Sequence, residues 1–339
     1  MENNKTLRVA VFGSTTMGTA LAHLMASAGH ACTLLTADPS VVEAINVQHR
    51  HAFYFDGLSV HPAVHASSDL AAHIPEANMV VMAVPSHAMR EAARQLGPLT
   101  HAGQSVLSAT KGFEPVVHKV MTQVLREECH TDHIGNISGP NIALDMLQGL
   151  PTTLLIASDS AQMRQHGQQA FASPNIHIVT SADLASHEYT SALKNIVAIE
   201  VGLATGWGLG NNFRALVMAE GMAELSRLLQ RMGLDSSPLY TLAGISDIFL
   251  TCSSQFAHNY TIGVKMGEGA LLEDLLEKIK ARGEMAEGVE SLKAGFGLVQ
   301  QFGQPSPLLE AAHAIAFRTR PVEKEEFIEA AFKRNTAGH

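Results

Sequence analysis

From about residue 7 to residue 180 the chain alternates short β-rich runs with stretches whose apolar positions recur every three or four residues. The runs at 7–13, 31–36, 79–84, 104–109 and 133–138 read as strands, separated by helices that begin near Met17, Pro39, His87 and Pro115. Two more strands, 152–157 and 175–179, flank an amphipathic stretch at 160–171. Strands that alternate with helices along the chain are the signature of a parallel sheet covered on both faces. The pattern therefore predicts a doubly wound α/β domain over residues 1–183.

Past residue 181 the strand-like runs stop. Helical periodicity continues through 185–205, 212–232, 236–251, 271–281, 288–302 and 322–335, with breaker clusters at 206–211, 233–238 and 304–307. Residues 184–339 are predicted to form a second, all-helical domain.

Composition narrows the function classes. A chain of 339 residues is long enough for about two domains with full cores. The longest purely apolar run, 79–84, is far short of the roughly 20 residues that span a bilayer. Lys and Arg number 23 against 32 Asp and Glu, a net charge of −9 spread along the chain, so neither nucleic acid nor an anionic lipid surface is an expected partner. Cys32, Cys129 and Cys252 form no CxxC pair, and the 18 His residues are scattered, so no disulfide framework and no metal site is expected. The amino terminus carries Glu2 and lacks a basic leader, which points to the cytoplasm.

The first strand runs straight into Gly13-Ser14-Thr15-Thr16-Met17-Gly18 and then a helix, the position of a dinucleotide-binding loop. The usual pattern is GxGxxG, and Thr15 stands at its middle glycine. An ordinary strand-to-helix turn fits the same string, but the helix amino terminus offers N–H groups to a phosphate, and the Thr15 hydroxyl could add a contact. Asp38, 20 residues beyond Gly18, suits the ribose of NAD; it also suits a helix cap, since it precedes Pro39. No Lys or Arg lies between Ala31 and His49 to meet an NADP phosphate, so NAD is preferred over NADP.

Longer strings carry more specific information: VVMAVPSH (80–87), SATKGFE (108–114), ISGPNIALD (137–145) with GLPTT (149–153), LKNIVAI (193–199), MAELSRL (222–228), AGISDIFLTC (243–252), HNYTIG (258–263) and AEGVES (286–291). In this order and spacing they resemble the NAD(P)-dependent glycerol-3-phosphate dehydrogenase family, from about Arg8 to Phe317. The resemblance implies a Rossmann domain followed by a helical domain of the 6-phosphogluconate dehydrogenase type, and reversible hydride transfer between a nicotinamide and the carbinol carbon of a small polyol phosphate. By the same resemblance Lys194 is the general acid/base, Asp247 the carboxylate beside it and Lys111 a second catalytic lysine. Asn195, Thr251, His258 and Asn259 match substrate-binding positions. Gly13, Thr15, Thr16, Met17, Gly18, Pro85, Ser86, Asn212 and Glu287 match cofactor-binding ones. The residues themselves agree with the lysine's role: His187, Thr190 or Ser191, and Lys194 fall on one face of an otherwise apolar helix, where partial burial would ease proton release. Read without the motif, a lone helix lysine is more often a snorkelling side chain.

The match has gaps. The family's phosphate clamp reads Ser-Arg-Asn-Arg-Arg, whereas this chain has Ala257-His258-Asn259-Tyr260-Thr261. A guanidinium gives phosphate a permanent charge and a fork of donors, while an imidazole of ordinary pKa, about 6.5, is mostly neutral at neutral pH. Leu144 stands at a lysine position, Asp145 at a glutamate and Glu220 at an arginine. Catalytic groups are kept and phosphate-reading cations are thinned, which points to the same chemistry on glycerol 3-phosphate or a related, less charged compound, with Lys111, His258 and Arg214 left to hold an anion. Two further readings stand beside it: a non-catalytic nucleotide-binding paralogue, favoured by Thr15 and His258, and an opine-dehydrogenase-like enzyme with a His–Asp pair in which His258 or His187 shuttles the proton. The helical domain suggests a homodimer.

Overall fold

The computed structural model describes residues 6–254, 257–281, 286–320 and 322–333. The chain divides into two compact units, Met1–Leu184 and Ala185–His339. The first is built on eight strands: β1 (Arg8–Phe12), β2 (Ala31–Leu35), β3 (Val64–Ser67), β4 (Met79–Met82), β5 (Ser105–Ser108), β6 (Ile134–Ser138), β7 (Thr152–Ala157) and β8 (Ile176–Ser181). They form one sheet in the order β3-β2-β1-β4-β5-β6-β7-β8. Its helices are α1 (Thr16–Ser27), α2 (Pro39–Glu43), α3 (Leu70–His73), α4 (Met89–Leu96), α5 (Met121–Glu128), α6 (Ala143–Leu147) and α7 (Ala161–Ala170).

The two central strands β1 and β4 are buried on both faces. Val9 and Val11 of β1 and Met79 and Val81 of β4 join one core layer with Leu21 and Met25 of α1. Ala10, Val80 and Met82 point the other way, into a layer with Met89 and Ala93 of α4 and Val124 and Leu125 of α5. With successive side chains on opposite faces and a helix layer on each, these strands are apolar wherever they are buried, and only Arg8, exposed at the start of β1, is polar.

Three features differ from the sequence pattern. β3 is not predicted: it is an edge strand of four residues in which His65 is exposed and Val64 and Ala66 are buried, too short and too polar to stand out. β7 runs antiparallel to β6, so the sheet is not wholly parallel. Its 139–151 connection holds only the five-residue α6, which packs on α1, and so lacks the long crossover helix that a parallel return uses. The helix expected near Pro115 begins at Met121. Val116 and His118 have φ of 70° and 56°, and Phe113 bridges to Val120, so this stretch is a loop.

The second unit is helical: α8 (Leu184–Gly206), α9 (Gly210–Arg231), α10 (Leu242–Ser253), α11 (His258–Gly267), α12 (Leu272–Ala281), α13 (Glu287–Phe302), α14 (Pro307–Phe317) and α15 (Lys324–Phe332). α8 is its central rod, with every residue from Thr190 to Ala204 buried. α10 starts later than predicted because Pro238 sits in a short 3-10 turn, after which the Thr241 hydroxyl caps the helix at Gly244 N–H. α11 and α14 are not predicted at all. In α11 the reason is glycine: Gly263 and Gly267 cross Gly202 and Gly206 of α8 so closely that a Cβ on Gly202 would meet the Tyr260 carbonyl and one on Gly263 the Ile199 carbonyl. Helix-weakening residues are kept here because only they allow two backbones to touch. α8 and α11 run in the same sense through this crossing, so the amino end of α11 leads back toward the turn of α8 that carries Lys194.

Candidate active site

In the first unit the predicted positions gather at the carboxyl ends of neighbouring parallel strands, the edge where open α/β sheets bind ligands. Gly13 follows β1 with φ of 114°, a conformation that L side chains avoid, and a Cβ there would press on the Ala83 carbonyl. A Cβ on Gly18 would collide with the Gly13 carbonyl. Both glycines are therefore required by the turn. Thr15 has an ordinary φ of −66° and turns its side chain inward: its hydroxyl donates to Ala83 O at 2.8 Å and accepts from Gly18 N–H at 3.1 Å, capping α1. The hydroxyl proton is thus spent within the protein, and the contact to phosphate suggested by the sequence is replaced by a structural one. The N–H groups of Thr16 and Met17, in the first helical turn, have no partner within the helix.

Pro85 and Ser86 follow β4, with Ser86 buried at the start of a 3-10 turn. The Thr110 hydroxyl donates to Val84 O at 2.6 Å and ties this turn to the end of β5. Lys111, next in sequence and half-buried, donates from Nζ to Gly139 O at 3.2 Å, joining the ends of β5 and β6. Asp38 accepts from Ser40 N–H at 2.9 Å and from the Ser40 hydroxyl at 2.6 Å, which hold its carboxyl below the usual range. The helix-capping reading of Asp38 is the one observed.

In the second unit Lys194, Asp247 and Thr251 come together. Lys194 Nζ lies 3.2 Å from Asp247 Oδ1, with side chains 5% and 7% exposed, and donates to Thr251 Oγ1 at 2.5 Å. Thr251 in turn donates to Asp247 O at 2.6 Å. Asp247 and Thr251 are one helical turn apart on α10, so a single face meets the lysine. Cys252 beside them is buried, and its thiol is pushed up to about 12, which leaves it inert. Asn195 is buried next to the lysine in sequence. Thr190 and Ser191, one turn earlier, are buried with hydroxyls that meet no partner among the described residues.

His258 and Asn259 open α11, whose cap residue Ala257 supplies no side-chain bond. His258 is exposed. Asn259 Oδ1 accepts from Gly288 N–H at 3.0 Å, so the amino end of α11 is fastened to that of α13, where Glu287 stands first. Tyr260 donates to Thr205 Oγ1 and accepts from Arg214, both at 3.2 Å. Asn212 is exposed in the first turn of α9. Leu144 is exposed on α6, and Glu220 pairs with Arg227 at 2.7 Å.

Sequence reasoning missed a pair of buried carboxyls. Glu200 on α8 is 1% exposed and its Oε2 meets no partner among the described residues; burial first, then the charges of Glu224 and Glu220, push its carboxyl well above the usual range. Burial raises Glu224 to about 7, although the carboxylate accepts from Leu308 and Leu309 N–H and so caps α14. A glutamate in the apolar string IEVGL is the available sign.

The chain matches two family patterns, the NAD-dependent glycerol-3-phosphate dehydrogenase N-terminus over residues 8–164 and the corresponding C-terminus over 183–325. Among curated relatives, glycerol-3-phosphate dehydrogenase [NAD(P)+] of Moorella thermoacetica is 35% identical over 314 residues, covering 93% of this chain and 92% of that protein. The protein of the same description from Teredinibacter turnerae is 34% identical over 316 residues, covering 93% and 92%. Among solved structures, glycerol-3-phosphate dehydrogenase from Coxiella burnetii superposes with a TM-score of 0.87 at 25% identity, covering 97% of this chain and 99% of that one. A ketopantoate reductase from Ralstonia eutropha, at 19% identity and a TM-score of 0.60 over 91% and 97%, shares the fold alone. With both patterns matched across most of its length, the chain belongs to the NAD-dependent glycerol-3-phosphate dehydrogenase family, whose members use NAD or NADP to act on a CH–OH group.

Proposed function

We propose that the protein catalyses reversible hydride transfer at the carbinol carbon of glycerol 3-phosphate, or of a close and less charged relative, with Lys194 as the general acid/base. The buried Lys194–Asp247–Thr251 group carries this reading. The Gly13–Gly18 turn fits a dinucleotide, since a Cβ at either glycine would fill the close approach of the chain to Ala83 and to Gly13 itself. Bound there, NAD(H) or NADP(H) supplies or accepts the hydride.

In the reducing direction the carbonyl oxygen becomes an alkoxide and takes a proton from the Lys194 ammonium, leaving a neutral amine; in the oxidising direction that amine removes the hydroxyl proton. Asp247 holds the ammonium by charge. Thr251 accepts from Nζ while giving its own proton to the Asp247 carbonyl, so it fixes the direction in which the lysine points. We assign the anionic end of the substrate to Lys111 and to His258, Asn259 and the amino end of α11, and the cofactor to the loop with Pro85, Ser86, Asn212 and Glu287. We also infer a homodimer working in the cytoplasm, which sedimentation and cell fractionation test; among the described residues no helix is long and apolar enough to cross a membrane.

The test is the initial rate of NADH or NADPH oxidation with dihydroxyacetone phosphate and with uncharged ketones. Lys194→Ala should lower kcat by at least about a hundredfold with cofactor affinity little changed. No turnover of any ketone with either cofactor would leave a nucleotide-binding paralogue. A variant that keeps more than half the activity would move the proton shuttle elsewhere, His258 first.

A further inference from the structure

We propose that His51 is a positioning residue for the dinucleotide loop, acting as a neutral imidazole that clamps the Ser14 carbonyl and so aims the Thr15 N–H; the inference rests on the reading of Gly13–Gly18 as the cofactor loop. His51 is 7% exposed and lies in the excursion that leaves α2 and returns through Val60, whose N–H donates to His49 O at 2.8 Å. Its Nε2 is 2.9 Å from Ser14 O, and its Nδ1 is 3.1 Å from the Phe53 backbone nitrogen. A carbonyl only accepts and a backbone N–H only donates, so the two contacts together fix one tautomer: Nε2 carries the proton and Nδ1 is bare. Burial lowers the imidazole's proton affinity and keeps the ring neutral. The ring also packs against Tyr54, with centroids 4.7 Å apart and the planes tilted by 30°.

The consequence for the loop follows from peptide planarity. Ser14 O and Thr15 N–H belong to one rigid plane and point in opposite directions, so a donor that holds the oxygen also sets the nitrogen. Backbone N–H groups at such a turn are what a phosphate meets. The rest of the turn is held from other sides: the Ser14 hydroxyl donates to Thr36 Oγ1 at 2.8 Å, and the Thr15 hydroxyl ties Gly18 N–H and Ala83 O. None of these bonds touches the Ser14 carbonyl, which His51 alone fastens through a side chain among the described residues. A loop aligned before binding does not lose that freedom on binding, so the clamp acts on cofactor affinity and not on the proton chemistry at Lys194.

Two variants separate the N–H from mere filling of space. His51→Phe keeps an aromatic ring against Tyr54 and loses the donor; His51→Gln keeps a donor at the reach of Nε2. We expect His51→Phe to weaken NADH binding, read by fluorescence titration, by roughly tenfold, with His51→Gln within about threefold of wild type and kcat at saturating cofactor changed less than about twofold in both. Equal affinity of His51→Phe and wild type, or His51→Gln as weak as His51→Phe, overturns the proposal, as does a loss confined to kcat. Should the variants fail to fold, nitrogen-15 spectra of the wild-type histidines near neutral pH decide: a neutral Nε2–H ring at His51 that shifts on adding NADH supports the clamp, and an Nδ1–H or charged ring refutes it. Wild-type protein that binds neither NADH nor NADPH overturns the cofactor-loop reading, while the tautomer still reports on the clamp itself.

Discussion

Removing the carboxylate of Asp247 should cost both stability and turnover, and the structure sets the size. At 3.2 Å, and with an effective dielectric of about 20, the attraction between Lys194 and Asp247 is about 5 kcal/mol. Both side chains are nearly inaccessible, so water cannot take over for the lost partner, and breaking such pairs costs about 3–5 kcal/mol. Asp247→Asn keeps an oxygen that can accept from Nζ, which places the expected loss near the lower end, about 3 kcal/mol. Lys194→Met leaves the carboxylate alone and should cost a similar amount, whereas the double variant buries no lone charge and should recover at least about 2 kcal/mol of the sum. Urea unfolding of the four proteins measures this coupling. A coupling energy below about 0.5 kcal/mol would show that the two groups do not form a pair in solution, and the assignment of Asp247 as the lysine's holder would fall. In the same set Asp247→Asn should lower kcat by about a hundredfold, because the charge that holds the ammonium in place is lost.

Three further outcomes are expected. Glu224, raised from 4.5 to about 7, keeps its proton in the folded state after the unfolded chain has lost it, so this group alone should lower stability by about 3 kcal/mol as pH rises from 4.5 through 7; Glu224→Gln should remove that share of the slope and leave the share of Glu200, and parallel pH profiles from thermal unfolding would refute the assignment. Thr15→Ala should destabilise the protein by about 1 kcal/mol through loss of the α1 cap without weakening NADH binding, and a clear loss of affinity in calorimetry would return the hydroxyl to the phosphate. His258→Arg should raise kcat/KM for dihydroxyacetone phosphate by about ten- to a hundredfold, while a wild type already as efficient as its relatives would place the phosphate on other groups.

The parts of the fold legible in the sequence are those whose burial is complete. β4 stands out because helices cover both faces and each of its four residues is apolar. β3 is hidden because an edge strand need satisfy only one face, and the reversal of β7 because its direction depends on where α6 docks, on α1, which no local pattern encodes. α11 is hidden for a different reason: its glycines disfavour a helix locally and are explained only by the crossing with α8. At the candidate site, Lys194 and Asp247 are legible through their family strings. Residue type and spacing alone do not bring α8 and α10 together. His51 and Glu200 have no local mark beyond a polar residue in unexpected company, since the surroundings of each depend on a distant stretch: the Ser14 carbonyl for His51, the Gly221 backbone of α9 for Glu200.

Two of the departures from the family pattern, at Thr15 and at the start of α11, have a common physical effect. Thr15 takes Gly18 N–H for its own hydroxyl and leaves the first backbone donors of α1 for a ligand anion. In α11 the lost guanidinium leaves a helix whose cap residue, Ala257, satisfies none of the first-turn N–H groups with its side chain. In both places an anion would meet backbone N–H groups at a helix amino end. Such an end carries about half a unit charge that does not titrate, against the full charge and paired donors of a guanidinium. The exchange at α11 lowers the attraction for a dianion more than for a monoanion or a neutral hydroxyl, because the lost energy scales with the charge on the ligand. Selectivity for a phosphate over an uncharged ketone should therefore be smaller here than in relatives that keep the arginines, and less sensitive to salt. Comparing kcat/KM for dihydroxyacetone phosphate and for hydroxyacetone at low and high ionic strength measures that difference directly. A strong preference for the phosphate that collapses as salt is raised would mean that side-chain cations still bind it, and Lys111 and Arg214 would then be the groups to remove first.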